Sequence, residues 1–230
     1  MDQSTHDPRR PAAGWPFISR ATDPMKRLIL IGILAAVVMV ALHAVSQVID
    51  FKLLNLSRAL NADKRDSVFG LASLFAQVAV AAASVWRGRV TERHRPAWFA
   101  LGALVAALVL VRGLTSFNAT ALAVPLVGVF GLLCWLTWRD PRAARTVVWA
   151  GFVLMAASLL LHKVGLAADA STASDFTWGY QITGIVKHGA ELAGWMLLAT
   201  AVLAGAIGHE APAGRADRVI ASAELESVAG

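Results

Sequence analysis

Six stretches of mostly apolar residues, at approximately 28–49, 67–86, 97–117, 120–138, 146–166 and 178–207, are separated by short polar segments along the 230-residue chain. A helix needs about 20 predominantly apolar residues to cross the hydrocarbon core of a bilayer. Each stretch therefore predicts one spanning helix, and the fold class expected is an all-α polytopic membrane protein with six transmembrane helices in residues 26–208. Only Asn118 and Ala119 separate the third and fourth stretches, which predicts a tight helical hairpin there. The first run, Leu28 to Ile49, exceeds the roughly 7–15 residues of a signal-peptide core and lacks a small-x-small cleavage site, so it is expected to stay as an anchor.

Outside the runs, residues 1–25 hold Pro8, Pro11, Pro16 and Pro24 among small and charged residues and predict a disordered arm. Residues 209–230 read as a short polar tail, and no internal repeat is present. Within the fourth run, Pro125, Gly128 and Gly131 point to close helix packing or a kink.

Composition agrees with a lipid environment: 57% of residues are hydrophobic and 16% charged, with a mean hydropathy of +0.60, against about 25% charge in an ordinary soluble domain. The net charge of +6 would raise nucleic acid as a partner in a soluble protein. In a multi-pass chain it reports topology instead, because Lys and Arg accumulate in cytoplasmic segments. With the N-terminus inside, the inner segments hold fourteen Lys and Arg and the outer segments four, Lys52, Arg58, Lys64 and Arg65. Both termini are therefore expected in the cytoplasm and the protein in the inner membrane. Trp86, Trp98, Trp135, Trp138 and Trp149 fall near predicted inner ends, and Phe117, Phe176, Trp178 and Tyr180 near outer ends, where amphipathic rings are favoured. Cys134 is the single cysteine, so no intrachain disulfide and no CxxC metal site exists.

The candidate chemistry lies in polar groups that a bilayer excludes unless they face protein or water. His43, Ser46, Gln47 and Asp50 share one face of the first helix, and Asp66, Gly70, Ser73 and Gln77 form a similar stripe on the second. The third run contributes Arg112 with Thr115 and Ser116; the fifth contributes Ser158, His162 and Lys163. On the sixth, Gly184, Lys187, His188, Glu191, Gly194 and Trp195 form a stripe. At about 1.5 Å per residue, His43, Arg112 and His162 lie roughly 7–9 Å outward of their helix midpoints, with Lys187 and His188 at similar height. The inner halves are almost purely apolar. This asymmetry predicts a polar pocket opening toward the outer leaflet.

Several chemistries compete for that pocket. Arg112, Lys163 and Lys187 outnumber Glu191 within the spans, and Asp50, Asp66, Asp169 and Asp175 stand only at the outer boundary, so the pocket favours an anionic small molecule or a membrane lipid headgroup. The ligand-binding residues expected are His43, Arg112, His162, Lys187, His188 and Glu191, with Arg112 and Lys187 on the anion and Glu191 holding Lys187. No cofactor is required by this reading. The alternative is a redox or metal-dependent enzyme: two of the three histidines could carry haem b, or three with a carboxylate could carry zinc, although the neighbouring cations repel a divalent metal. A third reading is structural, with Lys187 and Glu191 locking helices or fixing the chain to a membrane protein partner, while Lys163 snorkels outward. There is no Walker loop, no GxGxxG and no GxSxG, which argues against nucleotide and α/β-hydrolase chemistry.

Two stretches, Asp66-Ser67-Val68-Phe69-Gly70 opening the second helix and Lys187-His188-Gly189-Ala190-Glu191-Leu192-Ala193-Gly194 in the last, resemble a group of uncharacterised bacterial six-helix integral membrane proteins. In that group the last helix has the form Glu-Glu-x-x-Glu-x-x-Gly. Here the third acid is Glu191 and the glycine Gly194, while Lys187 and His188 stand in place of the first two acids. The resemblance implies the six-helix fold and its topology.

Overall fold

The computed structural model describes residues 23–52, 67–114, 119–169 and 178–229, with side chains for all of these except 51, 112–114, 119–123, 162–169 and 208–229. Among the described residues the chain is all-α, with six helices in the expected order: α1 (Pro24–Lys52), α2 (Val68–Val90), α3 (Arg95–Leu114), α4 (Ala119–Thr137), α5 (Arg142–Asp169) and α6 (Trp178–Ala229). The tight turn expected around Asn118 and residues 1–22 of the arm lie outside the described residues.

Several helices run past their apolar stretches, because capping and turn chemistry set their ends. Asp23 opens α1: its Oδ1 accepts the Met25 N–H at 3.0 Å and its carbonyl accepts the Arg27 N–H, with Pro24 at the first helical position. Ser67 opens α2 by accepting the Gly70 N–H at 3.0 Å. That helix closes at Thr91, whose N–H reaches the Arg87 carbonyl. Four residues later α3 begins, after His94 takes a left-handed φ of 55° and offers its carbonyl to the N–H groups of Ala97 and Trp98. The α4–α5 turn is equally short, closed by the Asp140 N–H on the Thr137 carbonyl. The tail read as a polar extension beyond residue 209 continues α6 as helix to Ala229.

Four segments are long and apolar enough to cross a membrane, Pro24–Asp50, Val68–Val90, Arg142–Leu161 and Trp178–Ile207. Within α3 and α4 the described apolar lengths, Arg95–Val111 and Val124–Thr137, are shorter. Side-chain placement is inverted relative to a water-soluble bundle. Ile31, Phe75 and Val124 are 62%, 70% and 77% exposed, whereas His43 is 1% exposed and Asp50 fully buried. Apolar groups outside and polar groups inside are what a hydrocarbon solvent selects.

The axis of the bundle is α6, which packs against α1, α2 and α5; α3 rests on α2, and α4 joins α3 to α5. Val80, Leu101, Leu133, Leu198 and Val202 form its sealed interior. Close approach of α5 to α6 depends on two glycines: a Cβ on Gly194 would stand 2.9 Å from the Gly151 carbonyl and 2.6 Å from Met155 Cγ. Gly32 of α1 similarly lies against the Thr200 side chain of α6. Small residues of this kind let membrane helices gain dispersion contacts where lipid supplies no hydrophobic drive. The expectation of close packing at Gly128 and Gly131 is corrected. Among the described residues a Cβ at either would meet nothing within 4 Å, both positions being exposed on α4.

Candidate functional site

The antiparallel pairing of α1 with α6 and the parallel run of α2 beside α6 bring three polar stripes together at the end of the bundle that holds Asp50, Ser67 and Trp178. From α1 come His43, Ser46, Gln47 and Asp50, all buried; from α2 come Ser73 and Gln77, also buried. The α6 stripe supplies buried Gln181 and half-buried Lys187, His188 and Glu191. Gln47 Nε2 donates to Gln181 Oε1 at 2.7 Å, tying α1 to α6. Gln77 Nε2 donates to Ser73 Oγ at 3.4 Å, and Ser73 Oγ donates to Glu191 Oε1 at 3.2 Å, so a directed chain of hydrogen bonds runs from α2 to the α6 carboxylate. His43 lies with its ring centroid 4.9 Å from Phe69 and 6.2 Å, edge-on, from His188. Ser46 Oγ is buried with no hydrogen-bond partner among the described residues.

Of the six candidate ligand-binding residues, His43, Lys187, His188 and Glu191 thus fall on the facing stripes of α1 and α6. The side chains of Arg112, His162 and Lys163 are not among those described, and the outer loops lie outside the described residues. Gln181 was not among the candidates. It sits at helical spacing before Gly184 and His188, and extending the α6 stripe by one turn would have included it.

The His43 and His188 rings meet edge-on with centroids 6.2 Å apart, and beside them α1 and α6 are in direct contact, a Cβ on Gly189 standing 3.3 Å from Val40 Cγ1 and 3.6 Å from His43 Cδ2. Zinc would need a third ligand, and among the described residues no group of three His, Cys, Asp or Glu is gathered closely enough to hold a metal.

A second polar centre lies at the opposite end, where the sequence predicted apolar inner halves. Because α2 continues to Val90, Arg87 is carried inside the bundle, 1% exposed, where it meets Asp140 of the α4–α5 turn, 4% exposed. Nη1 donates to Oδ2 at 2.7 Å and Nη2 to Oδ1 at 2.5 Å; Nη1 also reaches the Val202 carbonyl of α6 at 3.4 Å. The guanidinium carbon sits 4.3 Å from the centroid of the Trp98 ring. A fork-to-fork pair of this kind offsets the cost of burying both charges, with the aromatic face adding a cation–π contribution. Gly205 of α6 passes directly beneath, where a Cβ would collide with both Asp140 and Arg87. Next to the pair, a cavity of about 500 Å³ opens between the α2–α3 and α4–α5 turns.

No protein-family model matches the chain, and no curated protein or solved structure is similar to it at a significant level.

Proposed function

We propose that the chain is a six-span inner-membrane protein with both termini in the cytoplasm, and that it binds a small or lipidic anionic ligand at the polar cluster of α1, α2 and α6. The convergence of three polar stripes in one half of an apolar bundle carries this reading. A chain solvated by lipid retains such groups against a burial cost of several kcal/mol each when they serve a guest or a charge. The amide, hydroxyl and imidazole groups of Gln77, Ser73, His43 and His188 provide directional contacts. Positive charge comes from Lys187 and, by its expected height on α3, Arg112. Glu191, held by Ser73, limits that charge and selects against a second anion. The orientation rests on the distribution of Lys and Arg, and the six-span count on the apolar stretches of α3 and α4. The resemblance to six-helix bacterial membrane proteins supports the same topology.

The test is retention of co-purifying anions by the full chain in mild detergent, read by native mass spectrometry. Wild type is expected to carry a bound anion that Lys187→Ala and Arg112→Ala lose and that Lys187→Arg keeps. Retention unchanged in both alanine variants overturns the reading.

A further inference from the structure

The cavity at the arginine end has the chemistry of a phosphate site. Its floor is the Arg87–Asp140 pair, in which both carboxylate oxygens are engaged by the guanidinium, so the floor as a whole presents no net charge to the opening. Its rim carries Arg93 from the α2–α3 turn and Arg139 from the α4–α5 turn, both exposed. Among the described residues neither makes an ion pair, and Arg93 has only the contact of its Nε with His94 Nε2 at 3.1 Å. Arg89 and Arg95 flank the first turn and Arg142 and Arg145 follow the second as further cations, and Glu92 is the one other acid in the two turns; none of these lines the cavity.

The opening is held in shape by its neighbours. The His94 ring packs on Trp135 with centroids 4.4 Å apart, joining the start of α3 to α4. Arg145 Nη1 donates to the Trp138 carbonyl at 3.2 Å and fixes the second turn. Trp135 and Trp138 line the cavity and are 54% and 68% exposed. Indole rings in such positions mark the headgroup level of a bilayer. A guanidinium presents paired N–H donors that match two phosphate oxygens, and the volume of about 500 Å³ lies within the range of about 300–1,000 Å³ usual for ligand pockets.

We propose that this cavity binds the phosphate of an anionic phospholipid headgroup, with Arg93 and Arg139 reaching it from the two turns and Trp135 and Trp138 flanking the start of the acyl chains. Basic pockets between helices on the cytoplasmic side are suited to such headgroups. The site rests on the membrane reading of the chain and is independent of the polar cluster at the other end.

The test is native mass spectrometry of the full chain in mild detergent, titrated separately with phosphatidylglycerol, with phosphatidylcholine of the same acyl chains, and with inorganic phosphate. Phosphatidylglycerol is expected to bind in preference to phosphatidylcholine. Each arginine replaced removes a charge-assisted hydrogen bond to the phosphate and lowers that binding roughly tenfold, so Arg93→Gln/Arg139→Gln lowers it roughly 100-fold. The comparison variant Arg89→Gln/Arg142→Gln removes the same charge from the same end without touching the cavity and is expected to bind like wild type. An equal loss in the comparison variant assigns the attraction to diffuse surface charge and overturns the site. Equal binding of the two lipids, or displacement of phosphatidylglycerol by inorganic phosphate at equal concentration, overturns it as well. Because both rim arginines are exposed, thermal unfolding of the double variant is expected to match wild type, which separates lost binding from lost fold.

Discussion

Arg87 on α2 and Asp140 after α4 are 53 residues apart in sequence and meet as a two-pronged ion pair at the centre of one end of the bundle. The pair ties α2 to the α4–α5 turn, and through the Val202 carbonyl to α6.

Removing one partner leaves a buried charge without its complement, which costs about 3–5 kcal/mol. Arg87→Leu and Asp140→Leu are each expected to lower the thermal unfolding temperature sharply in detergent. The double variant is expected to recover most of that loss, since an apolar replacement of both partners is close to neutral. A double variant as unstable as the two single losses added together would show that the two side chains act independently of each other.

Gly205→Ala drives a methyl group into the same pair. It is expected to reproduce the single charge losses although it removes no polar group, and circular-dichroism melting checks this. The effect should vanish in the Arg87→Leu/Asp140→Leu background.

At the α5–α6 contact, Gly194→Ala places a Cβ against the Gly151 carbonyl and Met155 and is expected to cost about 1–3 kcal/mol. Gly128→Ala and Gly131→Ala face open space and are expected to leave the melting temperature unchanged. Melting curves of the three variants measured side by side decide the point.

Gln47 and Gln181 exchange a buried 2.7 Å hydrogen bond. Gln47→Leu or Gln181→Leu alone removes this bond from the other, still buried carboxamide, at about 1–3 kcal/mol. The paired replacement is expected to be milder than the sum, and a double-mutant cycle by detergent unfolding measures the coupling.

Orientation is tested with membrane-impermeant maleimide in a Cys134→Ala background. Lys52→Cys is expected to label in intact cells, and Glu92→Cys only after the membrane is opened. The opposite pattern places both termini outside.

Legibility differed between the fold and its polar centres. Apolar run length located all six helices, because in lipid the side-chain pattern and the backbone's need for internal hydrogen bonds point to the same segments. Helix ends were less visible: Asp23 sets one through a local cap that sits outside the runs, while Ser67, the first residue of the second run, serves as a cap rather than as part of the helix. One-face spacing on α1 and α6 located His43, Gln47, Lys187, His188 and Glu191, since neighbours along a helix follow from sequence alone. Arg87 and Asp140 fall just beyond the second and fourth apolar runs, and their meeting depends on tertiary packing across 53 residues, which no local period records. Gly128 and Gly131 misled for the same reason: spacing marks a small face but does not say whether anything packs on it.

The placement of α6 at the axis bears on how the protein is made. Ribosomal synthesis delivers this helix after the other five, yet α1, α2 and α5 all use it as their common neighbour. Until it enters the membrane, the His43 and Gln47 face of α1 and the Ser73 face of α2 have no Gln181 or Glu191 to meet. The shared neighbour of α1, α2 and α5 is thus the last helix in chain order, and the contacts that centre the bundle can close only once that helix is in place.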